Sequence, residues 1–336
     1  MQAVSNWQKK LRIDPLPPLL AADNPALRWF ARRDLPGEDP GPVQDLWQLP
    51  GARRILKKQL ADGCWPRSGE QKHPAIHYGL INTWRNFRFL VEQYGFTREQ
   101  PQAEKAAEFI FSCQAPEGDF RGFLANQYAT YYTGALLSLL IQAGYAQDER
   151  TERCFQWLLG MRQDDGGWSI PMITHRLDRE TQYRLSSEFA EPLEPDRTKP
   201  FSHNCTGMVL RAFAAHPVYR RSEAALHAAG LLKSRFFQPD AYTSYQDAGY
   251  WVRFEHPFWW NNLVSALDSI SQIGVTAEDP QVRLALDWLA DHQEESGLWR
   301  LSYARPELTE KDTPKAREMK LWVTLAVCRV FKRLVG

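Results

Sequence analysis

The chain has 336 residues, with 41 Lys and Arg against 40 Asp and Glu, and 43% of its residues are hydrophobic. This composition excludes an intrinsically disordered chain and disfavours a nucleic-acid-binding protein, because apolar residues are plentiful and no basic excess exists. No apolar run reaches about 18 residues, so no membrane span is predicted, although peripheral contact with a membrane stays open.

The spacing of the cysteines and the composition of the N-terminal residues indicate the cellular compartment. The five Cys are scattered without paired spacing, and the N-terminal stretch contains no apolar signal segment. We therefore predict a reducing, cytoplasmic environment.

The first elements in chain order are an arm and a capped helix. Residues 1–49 are rich in Pro, and Asn24-Pro25 is a typical helix start because the Asn side chain can cap the first turn. We expect this segment to pack outside the remaining chain.

A short pattern then recurs at intervals of about 50 residues. Each copy has Gln, a polar turn, Gly and an aromatic residue; the copies are 59–65, 114–120, 163–168 and 293–299, with a degenerate copy near 238–242. Gly permits the positive φ that reverses the chain after a helix, so we interpret Gln, Gly and Trp as structural.

Helical periodicity surrounds these turns. Residues 104–113 are amphipathic and 130–142 are almost continuously apolar, and the same pairing recurs at 152–161 with 205–215 and at 281–292 with 319–334. No strand periodicity is present. The fold class is therefore predicted to be all-α, with outer amphipathic helices alternating with inner apolar ones.

On these residues the chain resembles the QW-repeat family, the squalene and terpene cyclases and the β subunits of protein prenyltransferases. The matching segments are QLADGCW, QAPEGDF, QDDGGW and QEESGLW. The resemblance implies an α/α toroid of about five helix hairpins over residues 50–336, with 1–49 packed on it and 169–200 inserted as a loop or lid.

The resemblance also implies a central cavity for an apolar isoprenoid-like molecule. Aromatic side chains that open inner helices are the candidates for its wall: Tyr128, Tyr131, Tyr132, Trp251, Trp259 and Trp260. Plain core packing is the other interpretation of these residues. The Asp-x-Asp-Asp motif with which such cyclases protonate an alkene does not occur, so another acid would be needed.

Prenyltransferases hold zinc through Asp, Cys and His, and Asp62, Cys64 and His203 resemble those ligands. His77 is the alternative nitrogen ligand. In the other interpretation Asp62 is a turn residue and Cys64 a small buried one.

The positions of several histidines indicate a candidate catalytic site at the end of the ring where the inner helices begin. His77, His203 and His256, like His73, lie at or just before the starts of predicted inner helices. With Asp62 and Cys64 they form the predicted catalytic set.

Three functions follow. The first is an isoprenoid-handling enzyme of the prenyltransferase or terpene-cyclase type, acting at the cavity mouth. The second is a non-catalytic binder of a lipid or isoprenoid, and the third is a structural or partner-binding toroid. Whether a partner subunit is needed stays open.

Overall fold

The computed structural model describes residues 5–67, 69–242, 247–302 and 313–336. Over these residues the regular structure is helical, and backbone pairing of the β type is limited to isolated bridges such as Gln114 with Phe120 and Gln293 with Trp299. The predicted all-α class is confirmed. None of the helices in these segments is both long and apolar enough to cross a membrane.

The helices are numbered in chain order. They are α1 (Leu16–Leu20), α2 (Pro25–Asp34), α3 (Gln44–Trp47), α4 (Pro50–Leu56), α5 (Tyr78–Tyr94), α6 (Pro101–Ser112), α7 (Thr130–Leu140), α8 (Glu149–Gly160), α9 (Arg179–Ser187), α10 (His203–Ala215), α11 (Glu223–Lys233), α12 (Leu263–Ile273), α13 (Pro280–Asp291) and α14 (Pro314–Val335). A π-helical turn, Ile141–Tyr145, follows α7, and short 3₁₀ segments span Gln8–Lys10, Pro171–His175, Tyr219–Arg221 and Ala248–Val252.

Several helices start with a polar cap followed by Pro. The side chain of Asn24 accepts from the backbone of Ala26 and Leu27 at the start of α2, and Asp279 and Thr313 cap α13 and α14 in the same way. Pro is tolerated at the first helical position because its missing N–H would have no partner there.

The inner helices α5, α7, α10, α12 and α14 follow one another around a ring, and the amphipathic helices α6, α8, α11 and α13 lie outside them. All eleven residues of α7 are buried, as expected for a helix that is covered on every side. The arrangement is an α/α toroid.

Helix α2 contacts both α14 and α5 and thus lies between the two ends of the series of inner helices. This part of the N-terminal arm belongs to the ring wall instead of lying only outside it. The boundary at residue 49 and the 169–200 insertion, which contains α9, stay predictions.

The recurring turns share two hydrogen bonds. The indole Nε1 of Trp65, Trp168 and Trp299 donates to the carbonyl ten residues earlier, at 2.8, 2.7 and 2.8 Å. The backbone N–H of the turn aromatic donates to a buried Thr hydroxyl on the next inner helix; these Thr are Thr83, Thr133, Thr206 and Thr324.

The Gln side chain of each turn bonds to a second segment of the chain. That segment is the next outer helix for Gln59 and Gln114, residues 196–199 for Gln163, and Ile13 for Gln293. Nε2 of Gln114 donates to the carbonyl of Gly118 at 3.0 Å and to that of Arg150, in the next outer helix, at 2.9 Å. Since each of the four turns makes such bonds to the main chain, they support the structural interpretation of the repeated residues.

Candidate functional site

A cavity of about 980 Å³ lies where the inner helices end. Its wall is formed by the C-terminal halves of α5, α7, α10 and α14, together with α2 and one face along the length of α12. Its cationic residues are Arg33, Arg211, Arg329, Lys332 and Arg333. Its carboxylic acids are Asp34, Glu92 and Asp268. The cavity is large enough for a long small-molecule ligand, since ligand pockets typically measure about 300–1,000 Å³.

One side of the cavity carries a charge cluster around Asp34, at the end of α2. Arg329 Nε lies 2.7 Å from the Asp34 carboxylate, Arg33 also contacts that carboxylate, and Lys332 Nζ donates to the Asp34 carbonyl at 2.8 Å. Burial acts to raise the pKa of Asp34, but Arg329 and Arg33 outweigh it and the pKa is lowered. Asp34 is therefore ionised at neutral pH.

Glu92 faces the cavity from the last turn of α5. It makes no hydrogen bond or ion pair with any residue in the described segments. Burial is the largest influence on its pKa and raises it, against the charges of Arg88, Arg211 and Arg329. The direction of this shift follows from desolvation, which penalises the charged form of a carboxyl.

Two arginines, the buried Arg88 and the half-buried Arg211, hold a chain segment across the ring. Arg211 donates to the carbonyl of Phe258 at 3.0 Å and to that of Trp260 at 2.7 Å, and Arg88 donates to Phe258 at 3.2 Å. Burial lowers the pKa of Arg211 to about 10, so it stays protonated at neutral pH. We call residues 256–262 the partition, because Phe258 lines the large cavity while Trp259 and Trp260 face away from it.

The predicted aromatic wall is not part of the large cavity. Tyr131 and Tyr132 have ring centroids 4.2 Å apart, Trp260 stacks 6.0 Å from Tyr131, and Trp259 lies 4.3 Å from Trp84. These rings pack against one another and close the end of the ring where the inner helices begin. Trp259 and Trp260 border a second cavity of about 10 Å³, room for about one water molecule.

The other two predicted wall residues are also packed. Tyr128 contacts Trp157 at 5.7 Å, and its hydroxyl lies 3.4 Å from Glu194. Trp251 is fully buried against His203, at 4.5 Å between ring centroids. None of the six aromatics lines the large cavity: Tyr128, Tyr131, Tyr132 and Trp251 are buried, and Trp259 and Trp260 are half-buried. The large cavity lies where the inner helices end, whereas the prediction placed it where they begin.

His203 begins α10 and lies deep in the protein. Its Nδ1 is 3.3 Å from Asp240 Oδ2, and burial lowers the pKa of His203 to about 4 although Asp240 acts to raise it. The ring is neutral at pH 7 and does not line the large cavity. Its neighbour Cys205 is buried, and burial raises the pKa of that thiol to about 12.

His77 and the Asp62 turn lie near each other at the start of α5. His77 Nδ1 accepts from Leu80 N at 3.0 Å and caps the helix, while its Nε2 lies 3.6 Å from Cys113 Sγ. Asp62 accepts from the backbone of Cys64 at 3.0 Å, and burial is the main cause that raises the pKa of Cys64 to about 11. These contacts are those of a helix cap and a turn.

The predicted zinc ligands are not brought together. In the segments that the structure describes, which include Asp62, Cys64, His77 and His203, no group of three His, Cys, Asp or Glu side chains could hold a metal ion. The physical reason is that Asp62 and Cys64 belong to the first turn, whereas His203 starts the third inner helix.

His256 is the one predicted catalytic residue that lines the large cavity. It stacks on Trp322 at 5.2 Å between ring centroids, and its Nδ1 lies 3.4 Å from Gln93 Nε2. Burial, aided by Arg329 and Arg88, lowers its pKa to about 3. His256 is therefore neutral and offers a hydrogen-bonding ring, not a charge.

Comparison with known proteins places the fold in a family. Residues 146–330 match the model of the squalene-hopene cyclase C-terminal domain. The chain belongs to this family. The matched segment includes four charged or titratable residues of the cavity: Arg211, His256, Asp268 and Arg329. Glu92 precedes the matched segment.

A curated relative and two solved structures are similar to the chain. A squalene–hopene cyclase from Bradyrhizobium diazoefficiens is 26% identical over 189 residues, which are 54% of this chain and 26% of the relative, so the chain spans about a quarter of that relative's length. A protein from Actinoplanes is 17% identical over 88% of both chains with a TM-score of 0.44. A variant of the type II terpene cyclase MstE from Scytonema, in complex with geranylgeranyl dihydroxybenzoate, is 14% identical over 99% of this chain and 89% of its own, with a TM-score of 0.46.

Sequence reasoning missed Glu92 and the arginines around it. One signal was present: in the sequence FLVEQY the acidic Glu92 directly follows three apolar residues near the end of an inner helix. A charged residue in such a place is costly and therefore worth examining.

Proposed function

We propose that the chain is an isoprenoid-handling enzyme of the terpene-cyclase type, in which Glu92 donates a proton to a substrate in the large cavity. Family membership supports the isoprenoid substrate class. The observation that carries the proposal is the Glu92 carboxyl, which lines the cavity and whose pKa is raised by burial. A proton donor needs its acid form at working pH.

The proposed reaction needs no co-reactant other than a proton, which is given to the substrate and later lost from it. The Glu92 O–H proton is transferred to one carbon of an alkene, whose π electrons form the new C–H bond and leave a carbocation on the other carbon. A neighbouring alkene then closes a ring onto that cation. Loss of a proton from the final cation to water or to the Glu92 carboxylate ends the reaction, so the net change is an isomerisation.

The cavity wall suits a transient cation. The C-terminal ends of α5, α7, α10 and α12 line it, and helix C-termini carry partial negative charge. The rings of Phe96 and Phe258 also face the cavity and can offer cation–π contacts. Arg88 and Arg211 keep the partition in place by holding its carbonyls.

Non-catalytic binding is the second candidate. It is favoured by the packing of Tyr131, Tyr132, Trp259 and Trp260 against one another, which leaves fewer ring faces for a cation. The volume of the cavity disfavours a purely structural toroid with a filled centre. Zinc-dependent prenyl transfer is not proposed, because the residues expected to bind zinc lie apart.

The test is turnover by the purified full chain with farnesol, geranylgeraniol, squalene and the corresponding prenyl diphosphates, with products analysed by gas chromatography and mass spectrometry. Glu92→Gln keeps the shape but has no acidic proton, so we expect a loss of about 100-fold or more in rate with binding retained. The matched control is Glu278→Gln, at an exposed position outside the cavity.

Each result has a distinct meaning. If Glu92→Gln turns over substrate at the wild-type rate, the proposed role of Glu92 as proton donor is contradicted. Binding without product in the wild type supports the non-catalytic binder. Failure of the wild type to bind any of these molecules contradicts the isoprenoid-handling role itself.

A further inference from the structure

We infer that the isoprenoid bound in this cavity carries a carboxylate or phosphate group at one end, held by Arg33, Arg329 and Lys332. The inference rests on the proposed function and names the substrate class of the same site. It starts from an imbalance of charge on the α2–α14 side of the cavity.

Three cations surround a single carboxylate there. Arg33 and Arg329 both contact the Asp34 carboxylate, and Lys332 donates to the Asp34 backbone carbonyl. Among the residues that the structure describes, Lys332 has no carboxylate within ion-pair distance. One negative charge against three positive ones leaves this wall with an excess of two positive charges.

Arg33 has hydrogen-bond donors available for a ligand. Only its Nε hydrogen bonds within the described segments, to Asp34, and its side chain is 48% exposed. The guanidinium lies 4.9 Å from the ring centroids of both Trp29 and Phe30, which hold its plane. A planar guanidinium with two free amino groups matches a carboxylate or phosphate in bidentate geometry.

The competing explanation is that these ion pairs only attach α2 to α14. The two explanations differ in what Lys332 does. A structural tie predicts that removing Lys332 lowers stability and leaves ligand preference unchanged. An anion site predicts a change of preference.

The experiment compares three ligands with one chain length, farnesol, farnesoic acid and farnesyl diphosphate, by isothermal titration calorimetry on the full chain. We expect at least one of the two anions to bind about ten-fold or more tightly than farnesol at low salt. That preference should shrink in about 0.5 M NaCl because salt screens the charges. Which anion is preferred decides between carboxylate and phosphate.

The variants make the test specific. Lys332→Met should bring the preference to within about three-fold, and Lys332→Arg should keep it. The matched control is Lys320→Met on the same helix, whose ion pair with Glu294 lies outside the cavity. Arg33→Gln, at a half-exposed position, should also weaken anion binding and serves if Lys332→Met does not fold.

Two failures are distinguishable. Equal affinity for all three ligands, or an unchanged preference in both Lys332→Met and Arg33→Gln, overturns this inference and leaves the proposed function standing. Binding of none of the three ligands overturns this inference, whereas the proposed function is contradicted only when geranylgeraniol, squalene and the other prenyl diphosphates also fail to bind.

Discussion

Arg211 Nη2 lies 2.7 Å from the carbonyl oxygen of Trp260, on the segment that divides the ring. The same guanidinium reaches the carbonyls of Phe258 and Trp259 and the hydroxyl of Ser265. Buried carbonyls without a partner are costly, and here one side chain satisfies three of them. Arg211 thus keeps the partition between the packed aromatic end and the open cavity.

Replacing Arg211 with Met should lower the free energy of unfolding by about 1–3 kcal/mol, since the carbonyls of Trp259 and Trp260 would lose this donor while that of Phe258 keeps Arg88. Urea denaturation followed by circular dichroism measures the change. Arg283→Met is the control, because Arg283 is exposed and bonds only to the Glu278 carbonyl within the described segments. A loss below about 1 kcal/mol for Arg211→Met would contradict the proposed role of the clamp.

Gly118 tests the shared turn geometry. Its φ is +112°, and a Cβ atom would lie 2.5 Å from the carbonyl oxygen of Arg153. Gly118→Ala should therefore cost about 2 kcal/mol or more in unfolding free energy. The control is Gly230 inside α11, which has open space where a methyl group would project, so Gly230→Ala should stabilise by about 0.5–1 kcal/mol. Similar melting temperatures for the two variants would refute the turn argument.

Buried neutral histidines should make the fold sensitive to acid. Burial lowers the pKa of His256 to about 3 and that of His203 to about 4, whereas both have an ordinary pKa near 6.5 when unfolded. Between these values the unfolded chain binds more protons, so stability is full above about pH 6.5 and falls as the pH drops. Each histidine contributes at most about 1.4 kcal/mol per pH unit.

The measurement is the unfolding free energy at a series of pH values from about 7 to 5. His256→Gln should flatten its dependence on pH, while His227→Gln, at an exposed position, should not. A dependence that is equally steep in wild type and His256→Gln would show that folding does not lower the pKa of His256.

The Glu92 carboxyl should lower the free energy of unfolding at high pH, although it is the proposed proton donor. Because burial raises its pKa, its favourable contribution is present at low pH and is lost as the pH rises through the folded-state pKa. Glu92→Gln should thus be at least as stable as the wild type at about pH 8, and wild-type activity should decline as the pH rises. A destabilised Glu92→Gln protein would instead indicate that Glu92 has a structural role.

The sequence by itself determined the local features of the fold. The spacing of Gln, Gly and Trp and the 3.6-residue periodicity were sufficient to predict alternating inner and outer helices, because these signals depend on neighbours along the chain. The same holds for Asn24-Pro25, whose cap is a bond within one helical turn. The resemblance to the cyclase family followed from the same repeated segments.

Only the tertiary structure decided where the open space lies. Tyr131 and Trp260 open inner helices whether they line a cavity or fill it, and the distance between rings from different helices is not written in either helix. His203 and Cys64 were grouped by motif, but the order of units around the ring separates them.

The same reason explains Glu92, Arg211 and Lys332. Each is unremarkable within its own helix, and their significance comes from which helix ends meet around the cavity. Burial and opposing charge, which together set the pKa of Glu92, are sums over residues far apart in sequence. Periodicity assigned these residues to helices; only the closure of the ring placed them around one cavity.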